Sequence, residues 1–425
     1  MNTIQALHGT RDILPEEVVY WQWVETTTRE ILMRAAYTEI RTPIFEQADL
    51  FDALSENTDF IGKEIYSFHD KDENSISLRP EGTAGVVRAV IEHSLYTQGA
   101  VQRLWYAGAM FRYESPSVVR QRQFHQLGVE VLGSGEASSD AEVIAIACDI
   151  LQTLGLNNLR LEINSVGISD NRKCYESAII DYLKPYEQDL DPSQQYLTRN
   201  PLRIFDSKNP RTQEITQNAP SILDYLDFFS QRRFERVQQL LSDLGIAYTV
   251  NSRVLRGLDY YTHTTFEIIS DDLEQATICG GGRYDNLVGQ LGGSQMPAVG
   301  WAIGLERLIL LLQQFQTPFL PKLDFYIVSK GDLAESQALV LAQKLRILGF
   351  SVQLDLSGNG FRKQFTQAER SGTVACLIVG DEEAKKKTVK LKWMATKQQE
   401  SLAQVEFLAK SEELRQQIVT LNTNV

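Results

Sequence analysis

RQRQFHQLGVE, residues 120–130, is the stretch on which the reading of this chain turns. In a strand, side chains alternate between two faces. Arg120, Arg122, Phe124, Gln126, Gly128 and Glu130 then share one face, and Gln121, Gln123, His125, Leu127 and Val129 share the other. One face presents two guanidinium groups, a ring, an amide, a gap and a carboxylate in a row. That order suits a long, mixed ligand, with arginines for phosphates, the ring for a base, and the amide and carboxylate for a small polar molecule. The same run is also compatible with a solvent-facing polar strand.

Residues 101–114 form a second strand-like run, joined to 120–132 by ESPSVV, so the pair predicts a hairpin. Its first strand ends MFRYE, which puts Arg112 and Glu114 on one face, as a phosphate holder or as a structural ion pair. Upstream, SLRPEGTAGVVRA leads from a strand at 74–79 to a helix at 84–98. Glu81 and Thr83 fall in the turn between them, where a carboxylate either binds an ammonium group or caps the helix. Downstream, VLRGLDYYTHTTFEI sets Arg256 beside Gly257 and adds the pair Tyr260 and Tyr261. This is a close backbone approach with an aromatic wall, or a loop with core tyrosines. CGGGRYD lacks the spacing of a P-loop. GLERLILLL carries Arg307 on an apolar helix, where a buried cation needs a phosphate or a carboxylate. These segments hold several arginines and no paired nucleophile and base, a composition suited to positional catalysis on phosphates.

The rest of the chain frames them. Pro15 opens an amphipathic helix over 15–37, and Pro43 in TEIRTPIF marks an edge strand or an interface. A helix at 140–154 precedes a strand at 158–165; residues 170–250 read as a helical insertion, and strands resume at 251–269. After the proline-bearing stretch 317–321, strands and helices alternate through a small α/β unit. The expected organisation is a domain at 1–320 with the insertion, followed by a domain at 322–425. The predicted fold class is α+β. Net charge is −13, yet residues 322–425 hold 15 Lys+Arg against 12 Asp+Glu, which leaves −16 on the remainder. An acidic body with a mildly basic tail unit fits local contact with a polyanion. Four scattered cysteines and five dispersed histidines give neither a disulfide framework nor zinc-ligand spacing, so no protein-built metal site is expected. No run approaches the roughly 20 apolar residues of a membrane span, and the N-terminus lacks the pattern of a secretory signal; a cytoplasmic protein is expected.

Several of these segments carry a family resemblance. FRYE followed by RQRQF resembles the second signature motif of the class II aminoacyl-tRNA synthetases, AVGWAIGLERL their third, and the Pro43 region their first. LRPEGTAGVVRA and LRGLDYYTHTTFEI look like the two segments that distinguish histidyl-tRNA synthetases of bacterial type, and the likeness runs from HGTRDILP into the C-terminal unit. The resemblance implies a class II antiparallel-sheet catalytic core followed by an α/β anticodon-binding domain. It implies ATP as substrate, Mg2+ on its outer phosphates, L-histidine and tRNA(His) as partners, and a homodimer. Histidine would be joined to tRNA(His) through a histidyl-adenylate, with release of pyrophosphate and AMP. Arg112 would hold the α-phosphate, Arg120 would reach the γ-phosphate, and Phe124 and Arg307 would sandwich the adenine. Glu81 and Thr83 would bind the α-amino group, Gln126 the carboxylate side, and Glu130 and Tyr261 the imidazole, with Tyr260 lining the pocket. Arg256 would bridge carboxylate and α-phosphate as a fixed cation.

The chain departs from the family pattern at identifiable places. ESPSVVR stands where the family usually has ERPQ-x-GR, so Ser115 replaces an Arg, and Val118 and Val119 occupy loop positions that favour small or basic residues and Gly. Ala109 and Asn286 replace a usual Pro and Gly, and LFDALSENTDFIGKE is one residue short. The competing readings are a non-charging paralogue, such as the regulatory subunit of an ATP phosphoribosyltransferase, and a pure RNA-binding protein. Paralogues of the first kind usually lack the catalytic arginines and the C-terminal domain.

Overall fold

The computed structural model describes residues 3–55, 64–96, 99, 101–117, 120–190, 201–207, 209–255, 260–272, 276–315, 318 and 322–423. By internal contacts the chain divides into two compact units, Met1–Pro318 and Phe319–Val425.

The first unit is organised by an eight-stranded sheet. Its strands are β1 (Thr38–Glu39), β5 (Gln102–Phe111), β6 (Gln123–Leu132), β7 (Leu159–Ser165), β8 (Thr249–Val250), β9 (Thr262–Ser270), β10 (Ala276–Arg283) and β11 (Ala298–Gly304). The order is β1-β5-β6-β11-β10-β9-β7-β8, antiparallel through the middle and parallel only at the two short outer pairs. A separate three-stranded sheet joins β2 (Phe45–Gln47), β3 (Ser67–His69) and β4 (Ser75–Leu78) in the order β2-β4-β3.

One face of the large sheet is a packed core. Leu127, Val129 and Val131 of β6 are buried there with Trp301 and Ile303 of β11, beneath helices α1 (Pro15–Arg34), α2 (Ala137–Thr153), α3 (Phe228–Asp243) and α4 (Leu305–Phe315). Helix α1 starts at Pro15, where the missing amide is not needed, and buries Trp21, Val24, Thr28 and Leu32 on one stripe. It stops at Arg34 and not at 37: Ala36 takes a left-handed conformation and the Tyr37 amide closes onto Leu32 O at 2.9 Å. The helix expected over 84–98 likewise ends early, at Glu92, where Ser94 turns left-handed and the Leu95 amide returns to Val90 O.

The glycine cluster, to which the sequence reading assigned no element, is strand β10, squeezed between β9 and β11. A Cβ on Gly281 would overlap Gly300 O, and one on Gly282 would lie 2.5 Å from Thr264 O, so only glycine lets the strands approach. The strand expected over 251–269 begins only at Thr262. Between β7 and β9 the chain makes short helices around a small core of its own, with Tyr175, Ile179, Leu183, Leu202, Ile204, Ile215 and Ile222.

The second unit is a five-stranded mixed sheet, β13-β12-β14-β15-β16, from Phe325–Ser329 (β12), Val352–Leu354 (β13), Ala375–Val379 (β14), Thr388–Trp393 (β15) and Gln399–Ala403 (β16). Strands β13, β12 and β14 are parallel, and β15 and β16 are antiparallel additions. Strand β16 escaped the sequence reading because it is a polar edge, exposed at four of its five residues. Among the described residues no helix is long and apolar enough to cross a membrane.

Candidate active site

The other face of the large sheet carries the site. In the β5–β6 register, Tyr106 pairs with Gly128, Gly108 with Gln126 and Met110 with Phe124. The face drawn from the sequence, with Phe124, Gln126, Gly128 and Glu130 in line, is therefore assembled, and Tyr106 fills the gap left by Gly128. A side chain on Gly128 or on Gly82 would overlap the Tyr106 ring.

At one end of this face lie arginines and one aromatic ring. Arg112 follows β5 and is held by Nε donation to Pro80 O at 2.9 Å. Its guanidinium lies 5.0 Å over the Phe124 ring, and Nη1 is 3.8 Å from Glu114. Arg120 also reaches Glu114, at 3.6 Å, with its side chain 61% exposed. Arg307 donates to Thr277 O at 2.5 Å, and both burial and the nearby Arg120 push its guanidinium pKa down. Two cations facing each other with a half-satisfied partner set are suited to an anion. Arg122 does not join them: β6 starts only at Gln123, and the Arg122 guanidinium stacks 4.2 Å over Tyr113 while its amide is tied to Gly9 O. The positions of Phe124 and Arg307 are coupled through their neighbours. His125 binds Glu306 through both its amide (2.9 Å) and its ring Nδ1 (2.8 Å), and the Trp21 ring packs edge-on against that imidazole.

At the other end lie two buried carboxylates. Glu81 accepts the Thr83 amide at 2.8 Å and the Ala84 amide at 2.7 Å, at the start of the helix Thr83–Glu92. Glu130, 1% exposed, accepts from Thr83 Oγ1 at 2.7 Å on one oxygen and from the Tyr284 hydroxyl on the other. Burial pushes the Glu130 carboxyl up to about 8, opposed by the Tyr284 and Thr83 donors and assisted by Glu81. Burial also raises Glu81, and it holds the phenols of Tyr106, Tyr260 and Tyr284 well above their ordinary range. The phenols thus remain hydrogen-bond donors. Tyr260 stacks at 4.9 Å on Tyr261 and edge-on at 5.8 Å on Tyr284. Two buried polar atoms, Gln126 Oε1 and the Tyr106 hydroxyl, have no hydrogen-bond partner among the described residues.

Two buried acids with no ion pair to either among the described residues make a seat for a cationic ligand. Of the residues singled out from the sequence, the structure gathers Glu81, Thr83, Gln126, Glu130, Tyr260 and Tyr261 at this end and Arg112, Arg120, Phe124 and Arg307 at the other. Arg256, Val118 and Val119 lie outside the described residues. Of the altered hairpin tip, Ser115, Pro116 and Ser117 are described, and Ser117 exchanges backbone hydrogen bonds with Arg120. Sequence reading missed Tyr106 and Tyr284. Tyr106 shares strand parity with Arg112, and this was the available signal; Tyr284 lay within CGGGRYD, whose strand was not recognised. Among the described residues no three His, Cys, Asp or Glu groups converge to hold a metal ion.

A family model described as histidyl-tRNA synthetase matches residues 9–173 and 197–308, and one described as anticodon binding domain matches 324–414. The chain is 64% identical over 420 residues to the histidine–tRNA ligase of Gloeothece citriformis, across 98% of this chain and 97% of that protein. It is 60% identical over 426 residues to the histidine–tRNA ligase of Synechococcus elongatus, across 100% and 98%. Among solved structures, apo histidyl-tRNA synthetase of S. aureus superposes with a TM-score of 0.80 at 37% identity, covering 96% of this chain and 99% of that one.

Proposed function

Since the chain belongs to the histidyl-tRNA synthetase family, we propose that it is a histidine–tRNA ligase that activates L-histidine with ATP and transfers it to tRNA(His). The observation that carries the reading is the two-ended face of the sheet. Glu81 and Glu130, joined through Thr83, stand at one end, and Arg112, Phe124 and Arg307 at the other. A ligand that carries an ammonium and a ring N–H fits the first end, and a nucleotide fits the second.

In this reading Glu81 and Thr83 take the α-ammonium, Glu130 and Tyr261 the imidazole, and Gln126 and Tyr260 line the space between. Phe124 and Arg307 enclose adenine, Arg112 holds the α-phosphate, and Arg120 reaches the outer phosphates. The histidine carboxylate attacks the α-phosphorus, the bond to the bridging oxygen breaks, and pyrophosphate leaves. Arg112, with Arg256 assigned from its sequence alone, offsets charge that grows on the phosphoryl oxygens during attack. The terminal ribose hydroxyl of tRNA then attacks the adenylate carbonyl and AMP departs. The phosphate end is built of arginines and not of clustered acids, so Mg2+ fits here as an ion carried by the outer phosphates of ATP.

The remaining parts of the proposal are a tail domain at 322–425 that reads the anticodon, a cytoplasmic location and a homodimer. Ile44, Phe45 and Phe68, exposed at 45%, 59% and 46% on and beside the small sheet, support a two-fold contact there. The regulatory-paralogue reading is not favoured, because the arginines and the anticodon-domain match are both present. The decisive experiment is ATP–pyrophosphate exchange with each amino acid, followed by tRNA charging. Exchange should depend on histidine, with discrimination on the order of 10⁴-fold or more from unpaired buried groups. Equal exchange with glutamine or phenylalanine would overturn the assignment.

A further inference from the structure

The segment CGGGRYD reaches the site through Tyr284, which ends against the most buried carboxylate of the pocket. We propose that Tyr284 is a positioning residue for imidazole recognition, fixing the Glu130 carboxylate as an acceptor for the ring N–H of bound histidine. The proposal rests on the histidine assignment above.

A carboxylate that must recognise an N–H group has to be ionised and held in one orientation, with a lone pair free for the ligand. Two hydroxyls, one on each oxygen, orient Glu130 and favour its ionised form against the burial that raises its pKa. Thr83 Oγ1 donates to Oε1 at 2.7 Å and the Tyr284 hydroxyl to Oε2. One donor per oxygen leaves acceptor capacity on both. Below Oε2 the backbone of β11 passes so closely that a Cβ on Gly300 would overlap that oxygen, so the carboxylate cannot retreat toward the sheet.

Tyr284 is itself held on both flanks. Its amide donates to Ala298 O at 2.8 Å, and its ring lies edge-on to Tyr260. The preceding Arg283, fully buried, forms an ion pair with Asp140 and donates to Ser134 O, Ser139 Oγ and Asp285 Oδ1, each at 2.9 Å. The following Asp285 accepts the Ala298 amide at 3.1 Å. The glycines of the segment let β10 pass between β9 and β11, Arg283 and Asp285 anchor the turn, and Tyr284 delivers one hydroxyl to Glu130.

The surrounding groups make that hydroxyl matter. Glu81, Tyr106 and Tyr260 lie around Glu130, and none of them brings positive charge. Burial drives the Glu130 carboxyl up, and the donation from Tyr284 is the first influence that opposes it. Burial and the adjacent carboxylate keep the phenol protonated, so the direction of donation is fixed.

Tyr284→Phe keeps the ring and deletes the hydroxyl, so it tests the proposal directly. In pyrophosphate exchange the histidine KM should rise about tenfold or more, the usual effect of losing a hydrogen bond to a charged group. The ATP KM should stay within twofold. Without its donor Glu130 holds its proton to higher pH, so the histidine KM of the variant should recover as pH is raised from 7 to 9, more than that of wild type. A purely structural role for Tyr284 would move both KM values together and would not recover with pH. A histidine KM within twofold of wild type, or an equal rise for ATP, would overturn the proposal. If wild type itself shows no histidine-dependent exchange, the functional assignment fails instead, and the two failures are therefore distinguishable.

Discussion

Glu130→Gln should make the ligand-free protein relatively more stable as pH rises, although it removes a group proposed to recognise the substrate. The carboxyl ordinarily titrates near 4.5 and is pushed up to about 8 in the fold, chiefly by burial. Below pH 4.5 it is protonated in folded and unfolded chains alike, and it contributes no difference. Between 4.5 and 8 the unfolded chain releases its proton while the folded protein does not, so folding is progressively penalised, by about 1.4 kcal/mol per pH unit. Above 8 the penalty is complete, on the order of 5 kcal/mol. Glutamine has no proton to lose and lacks this slope. Any fixed cost of the amide against Thr83 and Tyr284 cancels when the same two proteins are compared across pH. Urea unfolding of wild type and variant at pH 5 and pH 8.5, without histidine, measures the effect. The stability difference should shift toward the variant by several kcal/mol at the higher pH. A difference that is the same at both pH values would show that Glu130 is not held above its ordinary range, and the cationic-seat argument would lose its basis. Added histidine should stabilise wild type and leave the variant nearly unmoved.

Phe124→Ala should raise the ATP KM by about tenfold, the scale of one base–aromatic stack, while the histidine KM stays put; steady-state exchange kinetics separate the two. Tyr106→Phe removes a hydroxyl that lies beside Glu130 and Thr83 without a well-formed hydrogen bond, so the melting temperature should change little while histidine affinity falls roughly three- to tenfold, read by calorimetry. A chain ending at Pro318 should retain pyrophosphate exchange and lose most tRNA charging, since the residues proposed to contact ATP and histidine all precede that point. Light scattering at micromolar concentration should give twice the chain mass of 48.1 kDa, and Phe45→Glu should reduce it toward one.

Much of the site was legible because strand parity is a rigid rule. Once 123–132 is a strand, Phe124, Gln126 and Glu130 must share a face, and the hairpin brings Arg112 alongside. Parity fails where the strand stops, and this is why Arg122 was misplaced: its backbone is already bound to Gly9, and its side chain follows Tyr113. The glycine run was opaque for a different reason. Glycine is disfavoured in strands by propensity, and only the closeness of β9 and β11, invisible in one dimension, makes it necessary there. Tyr284 was lost with it. The tight links from Thr83 to Glu130 and from His125 to Glu306 join positions 47 and 181 residues apart, beyond any local pattern.

The strand that carries the proposed substrate face waits a long time for its neighbour. Residues 126–132 of β6 pair on one side with β5, immediately before them, but on the other with residues 298–304. At an ordinary elongation rate roughly 10–30 s separate the emergence of the two segments from a ribosome. Through that interval β6 presents an unpaired edge whose reverse side holds Leu127, Val129 and Val131, the combination most prone to pairing with another chain. Synonymous codon changes that slow translation between positions 132 and 298 should therefore lower soluble yield, and holdase chaperones should bind nascent chains halted in that window.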